Sequence, residues 1–530
     1  MLVRASLLVL MACRAAAASD AIPSQTIALL PGEYWWGGAV QDGPFMPYGD
    51  APYHFDLRPK LAGNQAAPLL LSSKGRYVWS ERAFAFRFQQ RTLVIENALA
   101  KIEHGEGFKD LRGAYRAVSR RFFPPSGKIP DPLCFTAPQY NSWIEMQYAP
   151  SQEKVLSYAR SILAHGMPPG VFMIDDNWFP NRDYGAWSFD AVRFPDPKAM
   201  ARQLHEMGFK LMLWVCPFIR SDSPAYGELA AKNALVRDAQ GKPALRKWWN
   251  GVSAVLDMTH PQAVAWFQGK LDVLTGRFGV DGFKCDAGDP DYYRTSDVTY
   301  APTDPTGQCE AWARFGLKYP LNEYRACWKL GGQPLVQRLR DKHHVWGRDG
   351  LADLIPNGLA QGLLGDAFNC PDLIGGGEIS SFIKPGFKPD QELFVRTAQC
   401  STLFPIMQFS IAPWRILDQK HLADCLAMVA LRKRMGPEIV ALAQAAARSG
   451  EPIMRPLAYD FPDGGYEAIH DQFLLGSTIL VAPVLQRGAA RRAIVFPPER
   501  WIGDDGAQVI GPCTREVDAP VSRLPWYRRG

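Results

Sequence analysis

The sequence lacks the features that mark several large classes of protein. Its 530 residues include ten cysteines, none of them in a Cys-x-x-Cys pair. Apart from Cys13 they form an odd number of widely scattered residues, so we expect neither a disulfide scaffold nor a zinc site. Long runs of Lys or Arg are also absent, although the formal net charge is +6. This argues against a nucleic-acid-binding surface and favours a neutral ligand.

Three further absences narrow the function. No segment after the N-terminus approaches the roughly 20 consecutive apolar residues that a membrane-spanning helix needs. No GxGxxG motif follows an apolar strand, which weakens the dinucleotide-binding alternative. His343 and His344 are adjacent, so their side chains point in different directions, and no acidic residue has ligand spacing to them. We therefore expect no metal site.

The composition indicates a large globular protein. With 47% hydrophobic residues, a chain of this length has enough apolar material for roughly two to four domains. Its 16 tryptophans fit flat apolar faces such as sugar rings as readily as they fit a large core.

Residues 1–19 have the pattern of a signal peptide. Arg4 precedes a short apolar stretch at 7–12, and small residues follow at 15–19. We therefore expect export to the periplasm or the medium. Leu10-Met11-Ala12-Cys13 also resembles a bacterial lipoprotein cleavage box, which leaves a lipid anchor on Cys13 as an alternative.

The remaining chain divides into three parts. Short apolar runs broken by Gly, Pro and Asp over 20–131 indicate an antiparallel β domain, and the Pro-rich stretch at 122–133 is typical of a linker. Over 132–451, continuous apolar strands such as GVFMIDDNW and FKLMLWVCPF alternate with amphipathic helices. This alternation predicts an α/β fold, a (β/α)8 TIM barrel, rather than a doubly wound sheet. Residues 452–530 return to short β runs.

Acidic residues follow several of the predicted barrel strands. Asp175 and Asp176 come directly after VFMI, Asp286 after GFKC, and Asp349 lies in the loop after PLVQRL. Each one alone is explained as the cap of the next helix. Because the carboxyl ends of barrel strands meet at one rim, their joint occurrence predicts a cleft lined by carboxylates. Glycoside hydrolysis uses such a pair of carboxylates: one attacks the anomeric carbon or directs water, and the other donates a proton to the leaving oxygen.

Tryptophans accompany these acids along the same rim. Core packing explains each one individually, but together they would form the walls of a sugar site. The five residues are Trp178, Trp214, Trp248, Trp249 and Trp346.

Ser151-x-x-Lys154 has the spacing of a serine acylase motif, but Ser151 is better explained as a helix N-cap.

Several sequence blocks, in order along nearly the whole chain, resemble glycoside hydrolase family 31. They are PLLLSSKGRYVWSE at 68–81, IDD at 174–176, KWWNG at 247–251, DGFKCDAGD at 281–289, LIGGG at 373–377, PIMRPLAYDFPD and DQFLLGSTILVAPVL. The resemblance implies an N-terminal β-sandwich, a catalytic (β/α)8 barrel and a C-terminal β-sandwich domain. It also implies hydrolysis of α-glycosidic bonds with retention of configuration, and no cofactor.

The resemblance assigns roles to individual residues. Asp286 would be the nucleophile, and Asp349 the general acid/base with a raised pKa. Asp175 would bind sugar hydroxyls, Trp249 would lie against the ring, and Arg338 would lie near the 2-hydroxyl. The further candidate substrate contacts are Asp176, Trp178, Trp214, Lys284, Asp289, Trp346 and Asp372, the last at a late barrel strand.

The chain departs from the α-glucosidases of that family. Those usually have Met-Asn-Glu after the nucleophile, where this chain has Ala287-Gly288-Asp289, and a His where this chain has Ser410. YNSWIE, WWNG, DAGD and MQFSIAPW look more like the branch that contains the myogenesis-regulating glycosidase, whose members act on α-galactosides. We expect an exo-acting α-galactosidase, with α-glucosidase or α-xylosidase activity as the alternatives.

A protein of another class stays open: a carbohydrate-binding protein that kept the fold and lost catalysis. A retaining enzyme holds its two carboxyl groups about 5 to 5.5 Å apart, so an Asp349 turned away from Asp286 would favour the binding protein. The expected partner is an oligosaccharide or glycoside, with no nucleic acid and no integral membrane span. The sequence does not determine the oligomeric state.

Overall fold

The computed structural model describes residues 22–58, 65–383 and 386–530. The predicted signal peptide and Cys13 lie outside these ranges. Within them, no helix combines the length and apolar character required to cross a membrane.

The N-terminal part is built from short antiparallel strands, as the interrupted apolar runs predict. The strands are β1 (Gln25–Ala28), β2 (Trp35–Ala39), β3 (Tyr53–Asp56), β4 (Gln65–Ser72), β5 (Tyr77–Ser80), β6 (Ala85–Gln89), β7 (Thr92–Glu96) and β8 (Ile102–Gly105). One four-stranded sheet has the order β1-β7-β6-β3, and a second contains β4, β5 and β8 with β2 paired to β4. A 3-10 helix at Val40–Phe45 follows β2.

The central part contains the strands of the barrel and two small additions. The strands are β9 (Gln139–Asn141), β10 (Val171–Ile174), β11 (Lys210–Val215), β12 (Phe218–Arg220), β13 (Leu245–Trp248), β14 (Gly251–Val255), β15 (Gly282–Cys285), β16 (Leu321–Tyr324), β17 (Cys327–Trp328), β18 (Gln337–Arg338), β19 (Asn369–Cys370) and β20 (Gln408–Phe409). Strands β12, β14 and β13 form a separate antiparallel sheet, while β17 joins the N-terminal sheet beside β4.

The helices cover the barrel and connect its strands. They are α1 (Leu111–Phe122), α2 (Leu133–Thr136), α3 (Trp143–Met146), α4 (Gln152–Ala164), α5 (Pro197–Glu206), α6 (Pro224–Ala231), α7 (Pro261–Phe278), α8 (Pro305–Phe315), α9 (Leu354–Leu363), α10 (Gln391–Thr402), α11 (Pro413–Ile416), α12 (Gln419–Ser449) and α13 (Leu457–Asp460). The other 3-10 turns are Pro180–Arg182, Pro290–Tyr292, Gly316–Lys318, Leu351–Asp353 and Ile379–Ser381.

Local capping explains where the first barrel helix starts. Ser151 is the N-cap of α4, and its side chain accepts a hydrogen bond from the Lys154 backbone N–H at 3.3 Å. The helix-capping interpretation of the Ser-x-x-Lys motif is therefore confirmed, since this hydroxyl stabilises a helix end.

The eight parallel strands follow the order β19-β18-β16-β15-β11-β10-β9-β20. The two end strands approach each other and nearly close the barrel. The Ile406 N–H donates to the Asn369 carbonyl at 3.0 Å, and the Ile374 N–H donates to the Gln408 carbonyl at 2.9 Å. The predicted (β/α)8 barrel is confirmed, and the carboxyl ends of its strands share one rim.

The C-terminal part is built from antiparallel strands, as the short β runs predict. Its strands are β21 (Met454–Arg455), β22 (Phe473–Leu475), β23 (Ile479–Val481), β24 (Arg491–Gly503), β25 (Gln508–Asp518) and β26 (Trp526–Arg529). In the described chain they form one hydrogen-bonded six-stranded antiparallel sheet with the order β21-β22-β23-β26-β24-β25. A separate apolar cluster that includes Trp501 and Tyr527 packs against this sheet.

A buried arginine joins the C-terminal part to the barrel. Arg396 lies on α10 and is fully buried. Its guanidinium donates to the carbonyls of Ala489 at 2.8 Å, Ala519 at 2.9 Å and Pro520 at 3.2 Å. These carbonyls belong to loops beside the C-terminal sheet, so one side chain satisfies three acceptors across the domain boundary.

We expect Arg396→Met to lower the free energy of unfolding by about 3 kcal/mol, because three buried carbonyls lose a charged donor. Urea denaturation measures this loss. Arg487→Met is the matched control, since the Arg487 side chain is 74% exposed and surface ion pairs contribute little. Equal effects of the two substitutions would contradict the role assigned to Arg396.

Candidate active site

A cavity of about 220 Å³, here called the central cavity, opens at the rim formed by the strand ends. Its lining comes from the ends of β11 and β15 and from the β13–β14 hairpin. The segments that follow β9, β10, β15, β16 and β18, and the loop after β19, complete it. The volume is below the roughly 300–1,000 Å³ of pockets for drug-sized ligands. It therefore suits one small ring rather than an extended chain.

Asp286 follows β15 and is almost completely buried in the wall of this cavity. The Trp214 indole N–H donates to its Oδ2 at 2.7 Å. Arg325 Nε lies 3.2 Å from Oδ1, and Lys284 Nζ lies 3.9 Å from Oδ2. Burial acts to raise the pKa of Asp286, but Arg325 and Lys284 outweigh it and hold this pKa well below its ordinary value. The carboxylate is therefore ionised at neutral pH.

Asp175 and Asp176 follow β10 and line the same cavity. Lys284 donates to Asp175 at 2.7 Å. Asp176 Oδ2 accepts hydrogen bonds from Asn250 at 2.7 Å and from the Tyr184 hydroxyl at 3.1 Å. Burial first, and then the neighbouring Asp175, raise the pKa of Asp176 to about 7. Asp176 is therefore mostly protonated below neutral pH.

Aromatic side chains form parts of the cavity wall. Trp249, at the tip of the β13–β14 hairpin, is 43% exposed, and the Arg325 guanidinium lies 4.7 Å from its ring centroid. Trp143 packs edge-on against Tyr148, and its indole N–H donates to the Gly377 carbonyl at 3.0 Å. Trp214 also lines the cavity. Flat apolar faces beside carboxylates provide the chemistry that sugar rings bind.

A second carboxylate of another strand, Asp341, lines the central cavity together with Asp286. It lies three residues beyond the end of β18, and Arg338 Nη1 donates to its Oδ1 at 2.9 Å. The sequence analysis missed this residue. The signal that selected Asp175 and Asp286, an acid after a barrel strand, is weaker here, because Asp341 follows β18 by three residues and shares its loop with Asp349.

Asp349 lies outside the central cavity, in an adjoining one of about 400 Å³. Arg340 donates to its Oδ1 at 2.9 Å, and Lys342 Nζ lies 3.7 Å away. Burial acts to raise its pKa, but Arg340 and Lys342 outweigh it, and the net pKa is lower than usual. The predicted raised pKa of Asp349 is therefore wrong. Its carboxylate is paired with cations and separated from Asp286.

Arg338 and Asp372 are buried below the cavity instead of lining it. Arg338 pairs with Glu323 at 3.3 Å and with Asp372 at 2.8 Å. Asp372 also accepts hydrogen bonds from the backbone N–H groups of Lys342 at 2.6 Å and Gly377 at 2.7 Å. The arginine in the cavity wall is Arg325, which the sequence analysis did not single out.

The other predicted contacts are divided between core and rim. Trp178 is fully buried, and its indole N–H donates to the Trp214 carbonyl at 2.8 Å. Trp346 donates to Asp390 at 3.1 Å and does not line the central cavity. Asp289 pairs with Arg325 at 2.8 Å and lines the adjoining cavity.

Comparison with known proteins gives a consistent result. Residues 137–438 match the glycosyl hydrolases family 31 TIM-barrel domain, and residues 450–530 match the glycosyl hydrolase family 31 C-terminal domain. The chain is 36% identical over 405 residues to myogenesis-regulating glycosidase from Mus musculus, covering 74% of this chain and 56% of that protein.

Two further relatives extend the comparison. Alpha-xylosidase XylQ from Lactiplantibacillus pentosus is 27% identical over 427 residues, covering 76% of this chain and 54% of that protein. A solved dextranase from Flavobacterium johnsoniae, complexed with glucose, superposes with a TM-score of 0.84 at 19% identity, covering 96% of this chain and 66% of that one. The chain thus spans little more than half the length of these two curated relatives.

The buried pair of neighbouring acids predicts a pH-dependent stability. Between about pH 4 and pH 7 the native state keeps a proton on Asp176 that the unfolded chain has released, so stability falls as pH rises through this window. We expect the free energy of unfolding of Asp176→Asn, relative to that of wild type, to increase by up to ~4 kcal/mol as the pH rises from about 4 to about 7.

Urea denaturation at pH 4.5 and pH 7.5 measures the difference. Asp222→Asn is the control, because Asp222 is exposed and pairs with Arg220, which lowers its pKa. A stability difference between wild type and Asp176→Asn that does not change with pH would rule out the raised pKa.

Proposed function

Because this chain belongs to glycoside hydrolase family 31, we propose that it is a retaining, exo-acting α-glycosidase that removes a terminal α-linked sugar. One observation carries the proposal: Asp286 and Asp341, from different barrel strands, line one cavity that fits a single ring. Two carboxyl groups facing one sugar supply the nucleophile and the proton donor that this reaction needs.

In the first step, an ionised Asp286 attacks the anomeric carbon. A new bond forms between its carboxylate oxygen and that carbon, while the bond to the leaving oxygen breaks. Asp341 donates its proton to the leaving oxygen, so the leaving group departs as a neutral alcohol. Arg325 and Lys284 keep Asp286 charged before the attack.

In the second step, Asp341 acts as a base. It takes a proton from water, whose oxygen attacks the anomeric carbon and releases the Asp286 carboxylate. Two successive inversions give net retention. Arg338, 2.9 Å from Oδ1 of Asp341, fixes the orientation of this carboxyl group in both steps. Asp175 and Lys284 lie beside the ring, where they bind its hydroxyl groups.

We base the preference for an α-galactoside on the part of the cavity wall whose sequence differs from that of α-glucosidases. Ser410, which stands where those enzymes have histidine, accepts a hydrogen bond on Oγ from the Ile144 backbone N–H at 2.8 Å. The Glu145 carboxylate in turn accepts from the Ala412 N–H at 2.9 Å. The YNSWIE and MQFSIAPW segments thus form one unit that presents Trp143 to the sugar. The resemblance of these two segments to the branch of the family whose members act on α-galactosides supports this preference.

We expect Asp286→Asn and Asp341→Asn each to reduce kcat on an aryl α-glycoside by about 10³-fold or more, because each removes a group that changes bonding at the reacting atoms. Asp349→Asn should keep most of this activity. Thermal unfolding of all three variants verifies that they are folded. Loss of activity in Asp349→Asn together with full activity in Asp341→Asn would return the acid/base role to Asp349.

Leaving-group dependence separates the two catalytic roles. Asp341→Asn should hydrolyse a dinitrophenyl glycoside far better than a glycoside with a poor leaving group, since the former does not need a proton. Asp286→Asn should lose activity on both.

A panel of aryl α-galactoside, α-glucoside and α-xyloside tests the sugar. We expect kcat/KM for the galactoside to be at least about tenfold higher than for the others, equivalent to ~1.4 kcal/mol of transition-state binding. A glucoside or xyloside preference would replace the galactosidase assignment. No hydrolysis of any panel member, with intact binding of sugar, would identify a carbohydrate-binding protein instead.

A further inference from the structure

The central cavity continues into two others along the rim. The adjoining cavity of about 400 Å³, here called the second cavity, shares Trp249, Arg325, Asp341 and Glu378 with the central one. A third cavity of about 300 Å³ shares Arg340 and Asp349 with the second. The three cavities therefore adjoin one another along the rim, from the central cavity past Asp341 to the far side of Asp349.

The third cavity lies between two domains. One wall consists of Gln41, Asp42 and Phe45, from the 3-10 helix Val40–Phe45 of the N-terminal part. The other wall is the loop after β18, with Lys342 and Arg348 besides the shared pair. Both a barrel loop and a separate domain would thus contact a ligand held there.

The wall from the N-terminal part is fixed against the barrel. The side-chain amide of Asn357 on α9 donates to the Val40 carbonyl at 2.7 Å. At Gly43, a Cβ atom would lie 2.3 Å from the Pro356 carbonyl oxygen, so only glycine allows this close approach. The 3-10 helix is therefore seated directly on α9, and the third cavity has a preformed shape.

The charges around the third cavity balance each other. Its lining contains three cationic and three acidic side chains. Arg340 lies 2.9 Å from Asp349, and Arg348 Nε lies 3.7 Å from Asp353. A charged ligand therefore gains little here, whereas a neutral ligand with many hydroxyl groups meets both donors and acceptors.

Buried polar groups and an aromatic ring complete the site. Lys342 and Asp42 are both at least nine-tenths buried, and the Tyr53 hydroxyl donates to Asp42 at 2.6 Å. The Phe45 ring is 48% exposed, with the Arg348 guanidinium 4.4 Å from its centroid. Rigid polar groups next to an exposed ring are suited to a sugar, which has hydroxyl edges and apolar faces.

We propose that the third cavity is a distal sugar subsite on the leaving-group side. This inference rests on the proposed function and extends it: the substrate is a neutral oligosaccharide with at least two sugars beyond the bond that is cleaved. The second cavity holds the first of these sugars next to Asp341, and the third cavity holds the next one. Asp349 and Arg340, at the boundary, bind hydroxyl groups.

A length series with one terminal sugar tests this subsite. Melibiose, raffinose and stachyose all carry a terminal α-1,6-linked galactose on a leaving group of one, two or three sugars. We expect kcat/KM to rise roughly tenfold from melibiose to stachyose, the effect of one or two added hydrogen bonds. If the aryl panel selects glucose, isomaltose to isomaltotetraose replaces this series. Equal kcat/KM along the series would overturn the proposal.

Substitutions in the wall that the N-terminal part contributes to the third cavity, here called the far wall, test whether this cavity causes the increase in kcat/KM. In Phe45→Ala and Gln41→Ala, the ratio of kcat/KM for stachyose to kcat/KM for the aryl galactoside should fall roughly three- to tenfold. Tyr300→Ala is the matched control: Tyr300 is also an exposed aromatic residue, lies outside the three cavities, and should leave the ratio unchanged. An unchanged ratio in both far-wall variants would overturn the subsite.

Calorimetry separates this inference from the proposed function. Stachyose should bind folded Asp286→Asn, and adding Phe45→Ala should weaken binding at least roughly threefold. If no glycoside is hydrolysed but this loss of affinity is seen, the subsite stands and the proposed function fails. If aryl glycosides are hydrolysed but Phe45→Ala leaves the affinity for stachyose unchanged, the function stands and the subsite fails.

Discussion

The arrangement of the site depends on cations buried inside the barrel. Arg338 is 1% exposed and pairs with three carboxylates, those of Glu323, Asp341 and Asp372. Lys284 similarly holds Asp175 and lies near Asp286. Buried ion pairs seldom add net stability, because desolvation costs about as much as the attraction returns. Their benefit here is positional: they hold acids from separate strands at fixed places before a substrate arrives.

The parts of this arrangement that follow from local chemistry could be predicted from the sequence. Alternating strands and helices predicted the barrel, and the apolar runs VFMI and GFKC placed Asp175 and Asp286 at its rim, where both line the cavity. In both cases the acid directly follows the last residue of a strand that is buried throughout, and this position is the carboxyl end of the strand. Helix caps such as Ser151 are equally local and equally predictable.

The local sequence does not indicate which of Asp341 and Asp349 lines the central cavity. Both lie in the loop after β18, and which carboxylate faces Asp286 depends on Arg338 below the loop and on Arg340 within it. The same limit applies to the arginines. Arg338 ends a strand and points into the barrel, whereas Arg325 just after β16 reaches the cavity. Pairing between side chains of different strands decides these positions, and a single sequence does not display it.

The N-terminal part contributes to the same rim through a different constraint. Backbone contact at Gly43 and the hydrogen bond from Asn357 set the 3-10 helix on α9, and α9 starts directly after the loop that carries Asp349 and Asp353. The third cavity therefore has a preformed wall, which is fixed by a backbone contact and a side-chain amide. On the subsite proposal, bond cleavage and leaving-group recognition depend on separate contacts, so substitutions in the 3-10 helix Val40–Phe45 should alter which leaving groups bind without moving Asp286 or Asp341. Gln65 of β4 differs from that helix, because its side-chain amide donates to the Arg338 carbonyl at 2.8 Å and so supports the catalytic carboxylates directly.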